Sequence, residues 1–214
     1  LLHSNDPRTG GVCAAVHLLN EALIEEGVAS RISDRSQEQP GDPSTWLIGH
    51  GLWQWPGTRA EAIHRSCGNP YLIYPHGMLD PWFRRAHPFK HLKKQLYWWW
   101  RQERILRNAK AVCFTTEEER RLARSSFRPY RCQEAVTGIG ASEAPVDKKG
   151  QLEAFYRRFP NLREKQKLLY LGRFHSKKGV DLLIDSWRRL GQGNDTALIL
   201  AGPLECDSAQ IRAL

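Results

Sequence analysis

Between Leu169 and Trp187 the sequence reads LYLGRFHSKKGVDLLIDSW: an apolar run, Gly172-Arg173, a basic loop, Lys178-Gly179 and a helical pattern. A helix start already carries partial positive charge, so cations gathered there are unfavourable unless an anion shares the spot. Arg173 offers a planar fork of donors matched to phosphate oxygens, and a lysine adds a mobile point charge. The spacing lets the loop fold back so that Arg173 and Lys178 reach one anion, and the spread charge of a diphosphate fits best. Lys177 is an alternative to Lys178 in that contact, and a solvated basic turn is the bland alternative to both.

Other residues suited to chemistry sit where an apolar run ends. Tyr74-Pro75-His76-Gly77 places an imidazole after YLIY, with room beside it at Gly77. His50-Gly51 is a second such pair with less around it. Thr9-Gly10-Gly11-Val12 precedes a helical pattern, and its glycines would let backbone approach a ligand closely. It is neither G-x-G-x-x-G nor a Walker loop.

The net charge of +9 is local: residues 84–110 hold nine Lys and Arg against one acid, Glu103. Phe89, Tyr97 and Trp98-Trp99-Trp100 are interleaved with them. Cations around aromatics suit an anionic membrane surface, here through Lys93, Lys94, Trp99 and Arg101. A helix packing its aromatics on a sheet is the bland alternative, and nucleic acid the weakest, since no nucleic-acid motif accompanies the segment. Leu92, Leu96, Trp99 and Leu106 would share one face of a regular helix.

Positioning these groups requires a particular architecture. Leu1–His3, Thr45–His50, Tyr71–Tyr74, Ala111–Thr115, Gln133–Thr137, Leu168–Leu171 and Ala197–Ala201 read as short apolar strands. Helical patterns lie between them: one from Val12 to Leu23, one over 88–107, one opened by Thr116 as cap, and others near 152–158 and 180–190. Apolar strands alternating with helices predict an α/β fold with parallel sheets, which bind ligands at the carboxyl ends of strands. The polar stretch GIGASEAPVDKKGQ divides an N-terminal Rossmann-like domain, 1–145, from a linker, 146–166, and the start of a second domain, 167–214. No run of 18 apolar residues is present, and no charged-then-apolar signal is expected at the chain's opening. Five scattered cysteines lack C-x-x-C spacing, which argues for free thiols in a reducing compartment.

Taken in order, GRFHSKKGVDLLIDSWRRL, SNDPRTGGVCAAVHLLNEAL, YLIYPHGMLDPW and AVCFTTEEERRLA resemble segments of family-4 glycosyltransferases, retaining enzymes of the GT-B fold. The resemblance implies two Rossmann-like domains, the first on the acceptor side and the second binding a nucleotide sugar. It implies sugar transfer from a nucleotide-diphosphate sugar to a glycan or lipid-linked acceptor, by a retaining hexosyltransferase that uses no metal or other cofactor. Arg173 and Lys178 would hold the leaving diphosphate; Gly10, Gly11 and Gly77 would admit substrate; His76 would lie near the transferred sugar without acting as nucleophile. The family's Asn-Gly loop is replaced here by AVTGIGAS, with Gly138 or Ile139 at the Asn position. Its paired-glutamate motif has no match, since Glu205 comes too early and residue 213 is Ala. The chain thus reads as a fragment lacking most of its second domain and inactive by itself. The expected location is cytoplasmic, peripheral on the inner face of the cell membrane. The competing readings are a binding protein of the same fold without catalysis, and a basic nucleic-acid-binding domain; no nucleic-acid partner is expected.

Overall fold

The computed structural model of the chain describes residues 1–3, 11–34, 42, 44–141, 143, 146–174, 178–190 and 195–203. The chain divides into two compact units, Leu1–Glu143 and Ala144–Leu214. In each, short strands alternate with helices and pair in parallel, the mixed α/β architecture with parallel sheets that the apolar runs predict.

The first unit is built on strands β1 (Leu47–His50), β2 (Tyr71–Tyr74), β3 (Ala111–Phe114) and β4 (Glu134–Val136), in that spatial order. Parallel register sets His50 opposite Tyr74 and Ile73 opposite Val112, so the strand ends line up along one edge. Helix α1 (Gly11–Glu25) buries Cys13 and Val16. Helix α2 (Trp55–Cys67) is not announced by the sequence pattern, because Trp, Pro and Gly crowd its start. Pro56 falls in its first turn, where a missing N–H is harmless, and Gly68 ends it in the left-handed conformation at φ 81. The expected strand at Leu1–His3 does not form: Leu1 makes only two backbone bonds to β1, too few for a ladder.

The basic segment starts with the short α3 (Trp82–Ala86) and continues as α4 (Pro88–Tyr97), a wide π-helical turn (Trp98–Gln102) and α5 (Glu103–Asn108). The extra residue of the wide turn shifts the helix phase by about 100°. That overturns the single apolar face drawn from the sequence: Leu106 is buried in the core, whereas Leu92, Leu96 and Trp99 face out. Trp98 alone of the three tryptophans is fully buried, stacked on Phe127 at 5.0 Å, its Nε1 donating to the Pro129 carbonyl at 2.6 Å. Ile105 and Leu106 then join Ile73, Val112 and Phe114 in the core, and the Tyr71 hydroxyl donates to the Ile105 carbonyl at 2.7 Å. Helix α6 (Glu117–Ala123) follows β3, with the Thr116 side chain capping it as expected.

The second unit pairs β5 (Gln166–Leu171) with β6 (Thr196–Ala201). Helix α7 (Lys148–Arg158) lies in the stretch read as a linker, capped by Asp147. Helix α8 (Val180–Arg189) buries Val180 and Ile184 with Phe174. Leu168, Leu169 and Leu171 of β5 are exposed, so this strand is not covered on both faces as its composition predicts. Among the described residues, α8 is the helix that packs its buried side chains with Tyr170 and Leu200 of this sheet. Cys13, Cys67, Cys113 and Cys132 are free thiols, and Cys206 lies outside the described residues.

One charge pair ties the basic segment to this core. Glu61 of α2 is buried, and Arg104 of α5 meets it at 3.0 Å. Arg104 is 41% exposed, so removing it leaves the buried Glu61 carboxylate unpaired but partly reachable by solvent, at about 1–3 kcal/mol, whereas an apolar replacement of both is close to neutral. Arg104→Leu is therefore expected to lose about 1–3 kcal/mol in urea unfolding, and Glu61→Leu/Arg104→Leu to recover most of it. Additive losses would show that the pair is not coupled.

Candidate functional site at the strand ends

In the first unit the carboxyl ends of β1, β2, β3 and β4 converge on two histidines. His50 closes β1 and is 5% exposed; its Nδ1 lies 3.0 Å from Nε2 of His76, just past β2. Their rings stack with centroids 5.3 Å apart, and Tyr74 stacks on His50 at 5.2 Å. Register explains the meeting, since His50 sits opposite Tyr74, two residues before His76.

The turn that presents His76 is backbone-demanding. His76 has φ 50 and Gly77 φ 72, both in the left-handed region. Gly77 suits glycine, while His76 holds the same conformation against its Cβ, a local cost found most often at functional positions. Glu119 of α6 secures the turn. Its carboxylate accepts from the Gly77 amide at 2.6 Å, the Thr115 amide at 2.8 Å and the Thr115 hydroxyl at 2.7 Å. Burial pushes the His76 pKa down, with Glu119 opposing; burial, then the N-terminal ammonium and His76, push His50 far below the usual imidazole value. Both shifts favour the neutral rings, and a contact of 3.0 Å between two ring nitrogens places one hydrogen between them, its donor set by the tautomers.

A cavity of about 590 Å³ opens at these strand ends. His50, Tyr74 and Thr137 line its floor, with Leu18, Leu19 and Ala22 of α1 on one wall and Gly138 to Ala141 on the other. The Thr137 hydroxyl donates to the Tyr74 hydroxyl at 3.2 Å. Gly138, one of the two residues aligned with the Asn of the Asn-Gly loop, turns the chain at φ 70. A larger cavity of about 710 Å³ lies between α1 and the outer edge of β1, lined by Val16, Leu23, Val28, Ile32 and Trp46 among others. It sits on the sheet edge, whereas parallel sheets bind ligands at strand ends, so the smaller cavity is the candidate site.

The other expected site residues fall as follows. Gly11 stands exposed at the start of α1, where an added Cβ would meet nothing within 4 Å; Gly10 lies outside the described residues. Arg173 and Lys178 are both exposed, in the segment joining β5 to α8, in the second unit; Lys177 lies outside the described residues. Tyr170 donates its hydroxyl to the Arg173 carbonyl at 2.8 Å, and Gly179 starts α8 at φ 66. On the basic segment Lys93 and Trp99 are exposed. Lys94 turns inward instead, 5.0 Å over the Trp53 ring, and burial lowers its pKa. Arg101 is half-buried against Trp100, 5.8 Å from its ring. Among the described residues no group of three His, Cys, Asp or Glu is placed to hold a metal ion, and no helix is long and apolar enough to cross a membrane. Sequence reasoning gave His50 little weight and missed Glu119. The legible signal was two His-Gly pairs ending neighbouring strands.

Residues 39–136 match the family described as glycosyl transferase 4-like domain. The segment contains β1 to β4, His50, His76 and Glu119, and it supports a role in glycosyl transfer. No curated protein matches the chain.

The left-handed backbone at His76 sets an order of stabilities. His76→Gly and His76→Ala lose the same imidazole contact, but only glycine relieves the backbone. The glycine variant is expected to be the more stable by about 1 kcal/mol in urea unfolding, the reverse of the usual ranking in helices and strands. An alanine variant equal to or more stable than glycine would show that the position is unstrained.

Proposed function

We propose that this glycosyl transferase 4-like chain moves a sugar from a nucleotide-diphosphate sugar to a glycan or lipid-linked acceptor, with retention of configuration. The observation that carries the reading is the match of residues 39–136, which contribute His50 and Tyr74 to the cavity at the strand ends. In the reaction the bond from the sugar's anomeric carbon to the diphosphate oxygen breaks, and a bond to an acceptor hydroxyl oxygen forms on the same face. The hydroxyl proton passes to the departing phosphate oxygen. Charge grows on that diphosphate, and Arg173 and Lys178 offset it with fixed cations in place of a metal. His76, held by His50 and the Glu119-braced turn, contacts the transferred sugar. Gly77 leaves room beside it, and Gly10 and Gly11 admit substrate at the start of α1.

The test is release of nucleoside diphosphate from a panel of nucleotide sugars, with thermal shift as the binding readout. Arg173→Ala and Lys178→Ala are each expected to lower turnover by about 10²–10³-fold. Turnover unchanged in both variants would remove this mechanism. Binding of nucleotide sugar without any release would favour the non-catalytic alternative.

The same chain works, in this reading, at the inner surface of a membrane. Phe89, Leu92, Leu96, Trp99 and Trp100 are 56–83% exposed and follow one side of α4 into the wide turn. Arg84, Arg85, Lys90 and Lys93 are exposed on α3 and α4. Apolar residues flanked by cations suit an anionic lipid surface, each cation contributing about 1 kcal/mol near it. Arg104 and Arg107 are taken up by Glu61 and Glu103, and Lys94 by Trp53, so they contribute less. Lys90→Glu/Lys93→Glu is expected to weaken binding to phosphatidylglycerol vesicles by at least tenfold, and Leu92→Ser/Trp100→Ser to weaken it comparably. Vesicle binding indifferent to both pairs would refute the surface role.

A further inference from the structure

The two imidazoles of the strand-end pair have different surroundings. His76 gives its Nε2 to His50 and is not among the residues lining the cavity of about 590 Å³. His50 gives its Nδ1 to His76 and lines that cavity as well as the larger one beside α1. An imidazole carries its nitrogens on separate edges, so the contact with His76 leaves Nε2 of His50 on the ring's other side. No hydrogen bond is found at that nitrogen among the described residues, and it is not one of the fully buried polar atoms, although the ring as a whole is 95% buried beside Tyr74 and His76. A polar atom that keeps open surface and has no protein partner, on a ring lining a cavity, can take a ligand atom or water as its partner.

The shared hydrogen defines what that ligand atom can be. If His76 Nε2–H donates, His50 carries its own hydrogen on Nε2 and presents a donor. If His50 Nδ1–H donates, its Nε2 presents a lone pair. A hydroxyl satisfies either state, because it both donates and accepts. The rest of the lining adds a charge requirement. Glu21 and Glu25 of α1 and Glu143 stand exposed around the cavity, and no Lys or Arg lines it among the described residues. In a chain of net charge +9 this cavity has an acidic rim, which disfavours a phosphate.

We propose that His50 is the imidazole that meets a hydroxyl of the acceptor sugar in this cavity, that His76 orients it, and that the part of the acceptor entering here is neutral or cationic and carries no phosphate. The proposal rests on the acceptor-side reading of the first unit and adds to it a contact residue and a substrate class. A phosphate elsewhere on a lipid-linked acceptor is compatible with it, provided that phosphate stays outside the cavity.

The experiment reads the histidine ring nitrogens directly, by long-range ¹H–¹⁵N correlation on protein labelled at histidine, with His50→Gln assigning the His50 signals. Three probes are added at equal millimolar concentration: methyl glucoside, glucosamine and glucose 1-phosphate. The expected result is a shift of the His50 Nε2 signal with the neutral and cationic probes, and a shift several-fold smaller with the phosphate. His76→Phe is expected to weaken the methyl glucoside response by up to about tenfold, the worth of one orienting hydrogen bond. It should also change the His50 tautomer pattern without probe, which loss of stability alone would not do. Equal response to glucose 1-phosphate, response confined to His76, or no response at His50 to any probe would each overturn the proposal. These outcomes are separable from the transfer reading. Nucleoside diphosphate release that still depends on Arg173 and Lys178, with His50 silent, would leave transfer standing and remove only this site.

Discussion

The strand-end site depends on one carboxylate. Glu119 accepts hydrogen bonds from Gly77 and from both the amide and hydroxyl of Thr115, so a residue on α6 fixes the exits of two neighbouring strands. The local sequence explains how it gets there. Thr116 caps α6 by accepting from the Glu119 amide, which sets the first helical turn. In the familiar capping box the third-position glutamate returns to the cap residue. Here it reaches one residue further back and across to the neighbouring turn. Without that anchor nothing else described would hold the Gly77 amide, and the His76 ring would lose its fixed approach to His50.

The basic segment shows how little a count of charges says until partners are known. Nine cations look like a uniform patch in the sequence. In the fold, Arg104 bridges to Glu61 and Arg107 to Glu103, and Lys94 lies over aromatic rings. The cations that remain outward lie chiefly toward the start of the segment, beside the exposed apolar residues of α4. Structural and surface roles are therefore divided along one continuous helical stretch.

Strand positions were legible in the sequence because buried parallel strands must be apolar on both faces, and YLIY and AVCF are. The cap at Thr116 was equally plain, since Thr followed by three glutamates satisfies both the orphan amides and the helix dipole. Helix α2 was not legible: its start is WQWPG, and its buried positions include Glu61 and Gly57, which no apolar periodicity announces. His76 was singled out from its strand end, but its pairing was invisible, because contact with His50 arises from the register of β1 on β2 and leaves no local trace. The outward face of α4 was half legible. Its composition was right, but its phase relative to α5 was lost at the wide turn, which a regular period cannot anticipate.

That turn has a consequence for how the segment can change. Trp98–Gln102 carries one residue more than a regular turn of the same rise, so the outer side of Pro88–Tyr97 and the inner side of Glu103–Asn108 are indexed independently. Substitutions on the outer side can accumulate without disturbing Ile105 and Leu106. A one-residue deletion among the three consecutive tryptophans could not be absorbed in that way: closing the turn to regular geometry would swing Phe89 and Leu92 around the axis relative to the sheet. The segment is therefore permissive in composition and strict in length.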